Sequence, residues 1–396
     1  MKASVARKAS NTPYNETVDE KRGTNLLISS TTLDQFEFKT VGEVVPERGY
    51  SAFFFIPDTN DDLIVALKSK EVGDSEATYI TVFNIEGQSQ PYIRKCGDGC
   101  TEYKLLIVTD LDRASKAGNW TWRAVTRQGL LKLDIHRNPH VSIKWDPDRN
   151  LTSAMNVKGR AMELSDLTVF HHRILTPDDR TGLISEIRDN QIIPWVFLNS
   201  GPGNTTDAFK CEWMTIKDGL LYVGSHGVEY KTRHGSHRNN MWVKTVTSKG
   251  EVTNINWIGI YNKMKASVGI PEEGYLTHEA VQWSARRGRW FFLPRKASNT
   301  PYNETVDEKR GTNLLISSTD LKQFEFKTVG KVIPERGYSA FAFIPDTNDD
   351  LIVALKSKEV GDSTATYITV FNIEGQVILQ DEELTGDYKF EGLYFI

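Results

Sequence analysis

Cysteine is scarce in this sequence: 396 residues contain Cys96, Cys100 and Cys211 and no others. Three thiols are too few for a disulfide-based scaffold and one short of a four-cysteine zinc site. Long hydrophobic runs are missing too, since no stretch reaches the roughly 18 apolar residues of a membrane span and residues 1–30 lack the apolar core of a signal peptide. Neither sign of charge dominates, with 48 basic and 52 acidic residues, so a broad nucleic-acid-binding surface is not expected.

The sequence contains a copy of part of itself. Residues 7–88 recur at 295–376, and 76 of the 82 aligned positions are identical. Structural repeats that each fit different neighbours seldom match so closely. We therefore predict a partial duplicate without function over 1–88, a polar linker over 89–102 and the functional domain over 103–396. A sixth working repeat unit is the alternative interpretation of the copy.

The body of the chain is rich in short apolar or alternating runs separated by Asp, Asn, Gly and Pro. This pattern predicts strands and turns with little helix. Representative runs are YKLLIVTDLD, GLLKLDI, LLYVGS, RWFFLP, DLIVALKS and TYITVFNI. A single β-sandwich takes about 100 residues, so one sandwich does not account for this length.

Five segments of this body begin with an oxygen-bearing residue followed by an apolar strand, and four of them continue through a turn into a second strand. The oxygen-bearing residues, separated by 47, 67, 60 and 52 positions, are Ser165, Glu212, Glu279, Ser339 and Glu391. These separations suit the four-stranded blade of a β-propeller. The strand near residue 104 lacks a first partner, so pairing it with the C-terminal strand would close a ring. We therefore predict an all-β, five-bladed β-propeller closed by that pairing, plus the N-terminal partial duplicate.

The first strand of each propeller blade lines the central channel, which directs these five residues toward one axis. Three carboxylates that converge without a cation would repel each other, and at least one would have a raised pKa. Calcium accepts six to eight oxygen ligands in flexible geometry, whereas magnesium requires a tighter octahedron. The pattern predicts a calcium site, to which Asp166 could add an oxygen through water. Solvated glutamates at strand starts are the alternative interpretation.

Charged side chains near the predicted channel could hold an anionic substrate, because arginine binds phosphate bidentately and lysine supplies a point charge. The candidates are Asp110, Asp112, Lys158, Arg160, Arg180, Arg295 and Lys356. Read singly, the two acids also suit an Asx-turn, and each basic residue also suits a surface ion pair. Cys96 and Cys100 suit a disulfide or free thiols, and Cys211 suits a buried packing position.

A series of motifs runs in order from about residue 103 to the C-terminus: TDLD, KGRAMELSDL, DDRTG, PWVFL, FKCEW, KDGLLYVG, GYLTHEA, RWFFLPRKAS, GYSAFAFIP, DLIVALKS and FEGLYFI. Together they resemble the calcium-activated nucleotidase (apyrase) family of vertebrates and blood-feeding arthropods. The resemblance implies a five-bladed propeller with one central calcium ion. It also implies hydrolysis of nucleoside diphosphates, with variable activity on triphosphates, in the secretory pathway or outside the cell. The 7–88 copy and the absence of a signal peptide or membrane anchor depart from the family pattern.

Carried over by position, the family's calcium-site residues fall on the five channel residues, with Asp166 beside them. The resemblance places the TDLD acids, Arg160, Arg180 and Lys356 around the nucleotide phosphates. The predicted chemistry is hydrolysis of a terminal phosphoanhydride with Asp110 or Asp112 as general base.

The expected partner is a nucleotide substrate, namely UDP, GDP, ADP or ATP, and a homodimer is the alternative to a monomer. Neither nucleic acid nor a membrane span is expected. Two other functions stay open: a non-catalytic propeller that serves as a binding module, and a calcium-propeller hydrolase that acts on another class of ester.

Overall fold

The computed structural model divides into two compact units, Met1–Pro91 and Tyr92–Ile396, which are described separately. No helix in the described part of the chain is long and apolar enough to cross a membrane. The residues that the structure describes are 2–5, 23–30, 37–41, 45–56, 63–72, 75–84, 92–97, 99–135, 139–232, 235–303, 307–361 and 363–396.

Short apolar runs form two three-stranded antiparallel sheets in the first unit. The strands are β1 (Lys2–Val5), β2 (Leu26–Ser30), β3 (Glu37–Thr40), β4 (Arg48–Phe55), β5 (Leu63–Val72) and β6 (Ser75–Asn84). Leu27 and Val41 are buried together with Tyr50, Ile64 and Phe83, so residues from both sheets share one small core.

The first sheet of the second unit joins the beginning of that unit to its end, because its main path runs β11–β10–β8–β31. Its strands are β7 (Ile93–Gly97), β8 (Cys100–Thr109), β9 (Lys116–Gly118), β10 (Thr121–Asp134), β11 (His140–Trp145), β12 (Arg149–Ser153) and β31 (Phe390–Phe395). Leu393 pairs with Ile107 and Phe395 pairs with Leu105 in an antiparallel register. The pairing predicted between the C-terminal strand and the strand near residue 104 is confirmed.

Four further antiparallel sheets follow, each with four strands hydrogen-bonded in chain order. The second has β13 (Thr168–Phe170), β14 (Arg173–Pro177), β15 (Leu183–Arg188) and β16 (Gln191–Phe197). The third has β17 (Trp213–Lys217), β18 (Leu220–Gly224), β21 (Trp242–Val246) and β22 (Val252–Asn256). The fourth has β23 (Tyr275–Ser284), β24 (Arg289–Ser298), β25 (Leu314–Ser318) and β26 (Glu325–Thr328). The fifth has β27 (Gly337–Phe343), β28 (Leu351–Val360), β29 (Ser363–Asn372) and β30 (Val377–Glu383).

Shorter elements connect these strands. A two-stranded hairpin follows β18 and one α-helix precedes β23: β19 (Tyr230–Thr232), β20 (Gly235–His237) and α1 (Ile258–Ser267). Single 3-10 turns occupy Asp112–Ser115, Asn239–Met241 and Asp307–Lys309.

Each of the five sheets packs against the next through a cluster of buried apolar residues. In order, the clusters bring together Val108 with Ile174, Phe170 with Met214, Trp213 with Trp290, Leu293 with Tyr338, and Leu355 with Leu105. The last cluster returns from the fifth sheet to the first, so the cores close a ring. This closed arrangement of antiparallel sheets is the all-β propeller that the sequence predicts, and we interpret each sheet as one blade.

The residues predicted as a linker form part of the second unit from Tyr92 onward. β7 pairs with β8, and a disulfide joins Cys96 to Cys100 at the turn between them. The strand was missed because β7 is mostly polar, with Ile93 as its single large apolar residue, so it lacks the alternation of a half-buried strand. Cys211 is a buried free thiol in the core between the second and third sheets, as predicted.

Candidate functional site

The five residues selected at the strand starts occupy corresponding places in the five sheets, and all are buried. Ser165 and Glu212 lie before β13 and β17, whereas Glu279, Ser339 and Glu391 lie within β23, β27 and β31. In these three strands the pairing register shifts at the residue itself, as it does at a β-bulge. A bulge turns a side chain away from the regular alternation of the strand, so the irregularity takes these side chains out of the sheet cores.

Glu212, Glu279 and Glu391, which we call the inner glutamates, line the same cleft. Oε1 of Glu212 lies 2.6 Å from Nζ of Lys210 and 2.8 Å from Nε2 of His226. One oxygen each of Glu212 and Glu279 and a ring nitrogen of His226 lie within 4.8 Å of one another. Carboxylates from three different sheets therefore meet, as the spacing of the strand starts predicts.

A buried arginine links two of the inner glutamates. Arg295 of β24 donates hydrogen bonds to Glu279 and, at 2.6 Å, to Oε1 of Glu391. Gly337 makes room for it, because a Cβ at that position would lie 2.4 Å from Cγ of Arg295. Burial raises the pKa of both Glu279 and Glu391 even though Arg295 opposes the rise. The positive charge of Arg295 therefore does not fully compensate for the cost of burying these two carboxylates in their ionised form.

A second group of buried carboxylates, the acidic cluster, consists of Asp110, Glu163 and Asp179, each with an oxygen within 4.8 Å of the others. Arg160 donates from Nε to Oε1 of Glu163 at 2.7 Å, and Arg180 donates from Nε to Oε2 at 3.0 Å. Burial and the neighbouring charge of Asp110 raise the pKa of Glu163 to about 7, against these two hydrogen bonds. The acidic cluster therefore holds two guanidinium groups in fixed positions.

Lys389 lies immediately before the closing strand and connects the two groups of carboxylates. Its Nζ lies 2.9 Å from Asp110, 2.7 Å from Asp112 and 3.0 Å from Glu359. It also lies 3.7 Å from Oε1 of Glu391. Burial would lower the pKa of Lys389, but these carboxylates raise it well above its usual value. The ammonium group therefore stays charged at the seam of the ring.

These groups surround a cleft of about 610 Å³ with an excess of negative charge. The carboxylates that line it belong to Asp110, Asp112, Asp179, Glu212, Glu279, Glu308, Glu359 and Glu391. The arginine and lysine side chains that line it belong to Arg180, Lys210, Arg295, Lys296 and Lys389. Eight carboxylates against five cations give this lining a formal charge of −3 with His226 neutral. Such a set of oxygen donors suits a hard divalent cation.

The two predicted serine ligands are not among the residues that line this cleft, and their hydroxyl groups are used differently. Oγ of Ser165 is buried and has no hydrogen-bond partner among the described residues. Oγ of Ser339 donates to the carbonyl oxygen of Phe390 at 3.2 Å, directly before Glu391. Ser165 therefore has an unused oxygen, while Ser339 also supports the closing strand.

Asp166 links two sheets through backbone hydrogen bonds. Its Oδ1 accepts a hydrogen bond from the amide of Leu167 at 2.8 Å, and its Oδ2 accepts one from the amide of Met214 at 2.6 Å. Asp166 thereby connects the second sheet to the third, two residues beyond Glu212. The water-mediated contact of Asp166 with a metal ion stays a prediction. Gly392 permits this packing, since a Cβ there would lie 2.7 Å from the carbonyl carbon of Asp166.

Three of the five residues that the resemblance places around the nucleotide phosphates line the cleft, namely Asp110, Asp112 and Arg180. Arg160 lies next to it, with Nη2 3.3 Å from Asp112. Lys356 instead pairs with Asp381 at 2.9 Å. Side chains alternate along a strand, so Lys356 and Glu359 face opposite sides of β28, and Glu359 is the one at the cleft. Lys356 is not among the residues that line the cleft, and its contact with phosphate stays a prediction.

Other site residues were missed, although the sequence carried a signal for them. Glu163, Lys210 and Lys389 each stand two residues before a predicted channel position, and Thr277 and Gly337 hold the same place in the other two sheets. Residues i and i+2 of a strand face the same side. Inspection of the residue two places before each strand start would therefore have found this second layer.

His278 is buried beside the inner glutamates and is held neutral. Its ring centre lies 5.2 Å from that of Tyr261 and 5.8 Å from that of Phe292. Burial lowers the pKa of His278 from 6.5 to about 3. Between these values the unfolded chain binds a proton that the folded chain does not bind, so stability decreases as the pH falls through this window.

We expect His278→Phe, which keeps an aromatic ring in this core, to remove that pH dependence. Near pH 5 the wild-type chain has lost about 2 kcal/mol of unfolding free energy through this histidine, because one pKa unit corresponds to about 1.4 kcal/mol. Urea titrations at about pH 7.5 and about pH 5 measure the loss in both proteins. Equal losses in the wild type and the variant would contradict the assignment.

Comparison with known proteins adds to this geometry. The family model described as apyrase matches residues 4–92 and 111–396. Apyrase apy-1 of Caenorhabditis elegans is 46% identical over 310 residues, which cover 76% of this chain and 87% of that protein. Soluble calcium-activated nucleotidase 1 of Rattus norvegicus is 43% identical over 303 residues, 75% of each chain. The apyrase of Cimex lectularius is 39% identical over 304 residues, 74% of this chain and 82% of that one.

Fold and site define a propeller enzyme whose channel is lined with carboxylates and fixed cations. The chain belongs to the apyrase family. It is an enzyme that hydrolyses nucleotide phosphates. The family model also covers residues 4–92, as expected for a copy of 295–376.

Proposed function

We propose that this enzyme cleaves the terminal phosphoanhydride of nucleoside diphosphates, and of triphosphates to a lesser extent, in a reaction that requires calcium. The charge of the cleft carries the proposal. A lining with a formal charge of −3 repels an anionic nucleotide unless a cation offsets it. The name of the rat relative, a calcium-activated nucleotidase, supports the choice of calcium.

The residues present fit a calcium ion. The inner glutamates, Ser165 and Ser339 would hold it, and all five are oxygen donors of the kind that calcium prefers. The unpartnered hydroxyl of Ser165 and the raised pKa values of Glu279 and Glu391 both favour a cation at this place. When bound, calcium neutralises phosphate charge and orients the phosphate oxygens.

The cations of the cleft suit the phosphate groups of a nucleotide. Arg180 lines the cleft, and its guanidinium is held by Glu163 on one side. Arg160 is fixed by the same carboxylate, and Lys389 is fixed by the acids around it. Donors held in place before the substrate arrives stabilise developing charge without reorganisation. These three residues are our phosphate-binding set.

Asp112 is our general base. Its side chain is 46% exposed and lies 2.7 Å from Lys389, whereas Asp110 is buried. Oδ1 of Asp110 accepts the amide hydrogen of Asp112 at 2.7 Å, and Oδ2 accepts a hydrogen bond from Lys389 at 2.9 Å. Asp112 can therefore take a proton from a water molecule in the cleft, while Asp110 positions Asp112 and Lys389.

Phosphate release from UDP, GDP, ADP and ATP, measured with calcium and with EGTA, tests this proposal. We expect release with calcium, faster from the diphosphates, and loss of release with EGTA. Binding of nucleotide without any release would favour the alternative of a non-catalytic binding module. Release that EGTA leaves unchanged would contradict the calcium requirement, and cleavage restricted to other esters would favour the second alternative.

We further propose that the protein works in the secretory pathway or outside the cell. The disulfide between Cys96 and Cys100 supports this compartment, because disulfides persist in oxidising environments.

A further inference from the structure

One sheet of the first unit is a sequence copy of the fifth sheet of the second unit. Residues 48–84 and 336–372 differ at two positions. β4, β5 and β6 pair in the same register as β27, β28 and β29, including the shift after Tyr50 and after its counterpart Tyr338. The two sheets share sequence and register. If matching side chains differ in their exposed fraction, the difference therefore arises from the surroundings of each sheet.

One face is covered in both copies. In the first unit Tyr50, Ile64 and Phe83 are buried with Leu27 and Val41. Their counterparts in the second unit belong to the core between the fourth and fifth sheets. The first unit thus reproduces part of one interface of the ring, and this face is already occupied.

The opposite face, which we call the open face, is covered in the second unit alone. Its side chains in the first unit are Phe54 (64% exposed), Leu67 (36%), Ile80 (72%) and Val82 (37%). The counterparts in the second unit, at most 3% exposed, are Ala342, Leu355, Ile368 and Val370. Leu67 pairs with Ile80 across β5 and β6, so the exposed residues are neighbours. Contiguous apolar patches of this kind mark interaction sites.

The edge of the same sheet is also unpaired. In the second unit β29 is followed by β30, and Val370 pairs with Leu379. In the first unit β6 pairs with β5 and with no other strand of the described residues. An unpaired edge strand presents free backbone donors and acceptors to another chain. The open face and the open edge therefore lie on the same three strands.

We propose that the open face is a self-association surface and that its partner is the open face of a second copy of this chain. The second unit shows the chemistry that covers such a face, namely the aliphatic face of another β-sheet. In a second copy, the first sheet of the ring is already covered by the fifth. The open face of its first unit is available without any unfolding.

Phe54 argues against exchange of this sheet into the ring. Its counterpart Ala342 is 3% exposed in the core between the fifth and first sheets. A phenylalanine in that close-packed position would overfill it. Two open faces related by a two-fold axis can instead pack Phe54 against the partner sheet.

Sedimentation velocity of the full chain over a concentration series tests the proposal. We expect a reversible wild-type dimer, and we expect Ile80→Lys to raise its dissociation constant by at least about tenfold, because a lysine would be buried without a partner. Hydrolysis of nucleotide should be unchanged in this variant, since the site lies in the second unit. The matched control is Phe326→Lys, an exposed apolar position of the second unit (50% exposed), which should leave the dimer intact.

Three results would overturn the proposal. The first is a wild-type chain that stays monomeric at every concentration. The second is a dimer that survives Ile80→Lys and is lost in Phe326→Lys, which would assign association to the second unit. The third is a dimer that forms only with loss of nucleotide hydrolysis, which would indicate exchange into the ring. A second variant, Val82→Lys, guards against a local effect at Ile80 and should weaken the dimer to a similar degree.

Discussion

Glu391→Gln should lower calcium-dependent phosphate release at least about 100-fold while the chain remains folded. The substitution keeps the size of the side chain and removes one of the three inner carboxylates. Glu391 lies on the closing strand, 2.6 Å from Arg295, and the amide oxygen of glutamine can still accept that hydrogen bond, so the substitution removes the charge rather than the contact. Phosphate release is measured over a calcium titration, and the stabilisation of Tm by calcium gives a readout that does not depend on turnover.

Glu374→Gln is the matched control for this variant. Glu374 is an exposed glutamate that pairs with Lys327 at the surface. Its replacement should leave both the calcium titration and the Tm shift at wild-type values. If Glu391→Gln kept the wild-type Tm shift and turnover, the calcium ion would bind elsewhere, and the assignment of the inner glutamates as calcium ligands would be wrong.

Asp112→Asn should lower kcat about 100-fold with little change in KM, because general bases contribute roughly this factor or more. The asparagine keeps the backbone amide that donates to Asp110, and its side chain can still contact Lys389. What it loses is the ability to take a proton from water. Steady-state kinetics at saturating calcium separate kcat from KM.

Three further variants test this role. Asp112→Glu should recover part of the lost turnover, since it restores a carboxylate, and Asp218→Asn at an exposed turn should have no effect. Asp110→Asn should also reduce turnover, because Oδ2 of Asp110 holds Lys389 in place. If Asp110→Asn and Asp112→Asn both kept near wild-type turnover, the general base would be another residue.

The architecture could be predicted because it follows from long-range regularities that the sequence displays. Strand starts recur at intervals of a blade, and a strand without a partner at each end of the body indicates closure, which the pairing of Leu393 with Ile107 confirms. The strand Ile93–Gly97 could not be predicted in the same way. Its stability comes from pairing with β8 and from the Cys96–Cys100 disulfide, and neither leaves an apolar pattern.

The site was predictable where chemistry coincided with a strand start, and the inner glutamates are the example. Local contacts are harder to predict than this pattern. Asp166 has the charge of a ligand, but its oxygens bond to backbone, and Lys356 is near Glu359 in sequence but on the opposite face of the strand. His226 stands in a loop after β18, where no periodicity marks its position.

The pairing of β8 with β31 brings together residues that are separated by almost the whole second unit. Contacts between residues so distant in sequence are slow to form, because a large loop must be ordered first. Lys389 and Glu391 lie just before and within β31, whereas Asp110 and Asp112 follow β8 directly. We therefore expect a refolding chain to regain strand content before it regains turnover, because the residues proposed for catalysis meet only when these two distant strands pair.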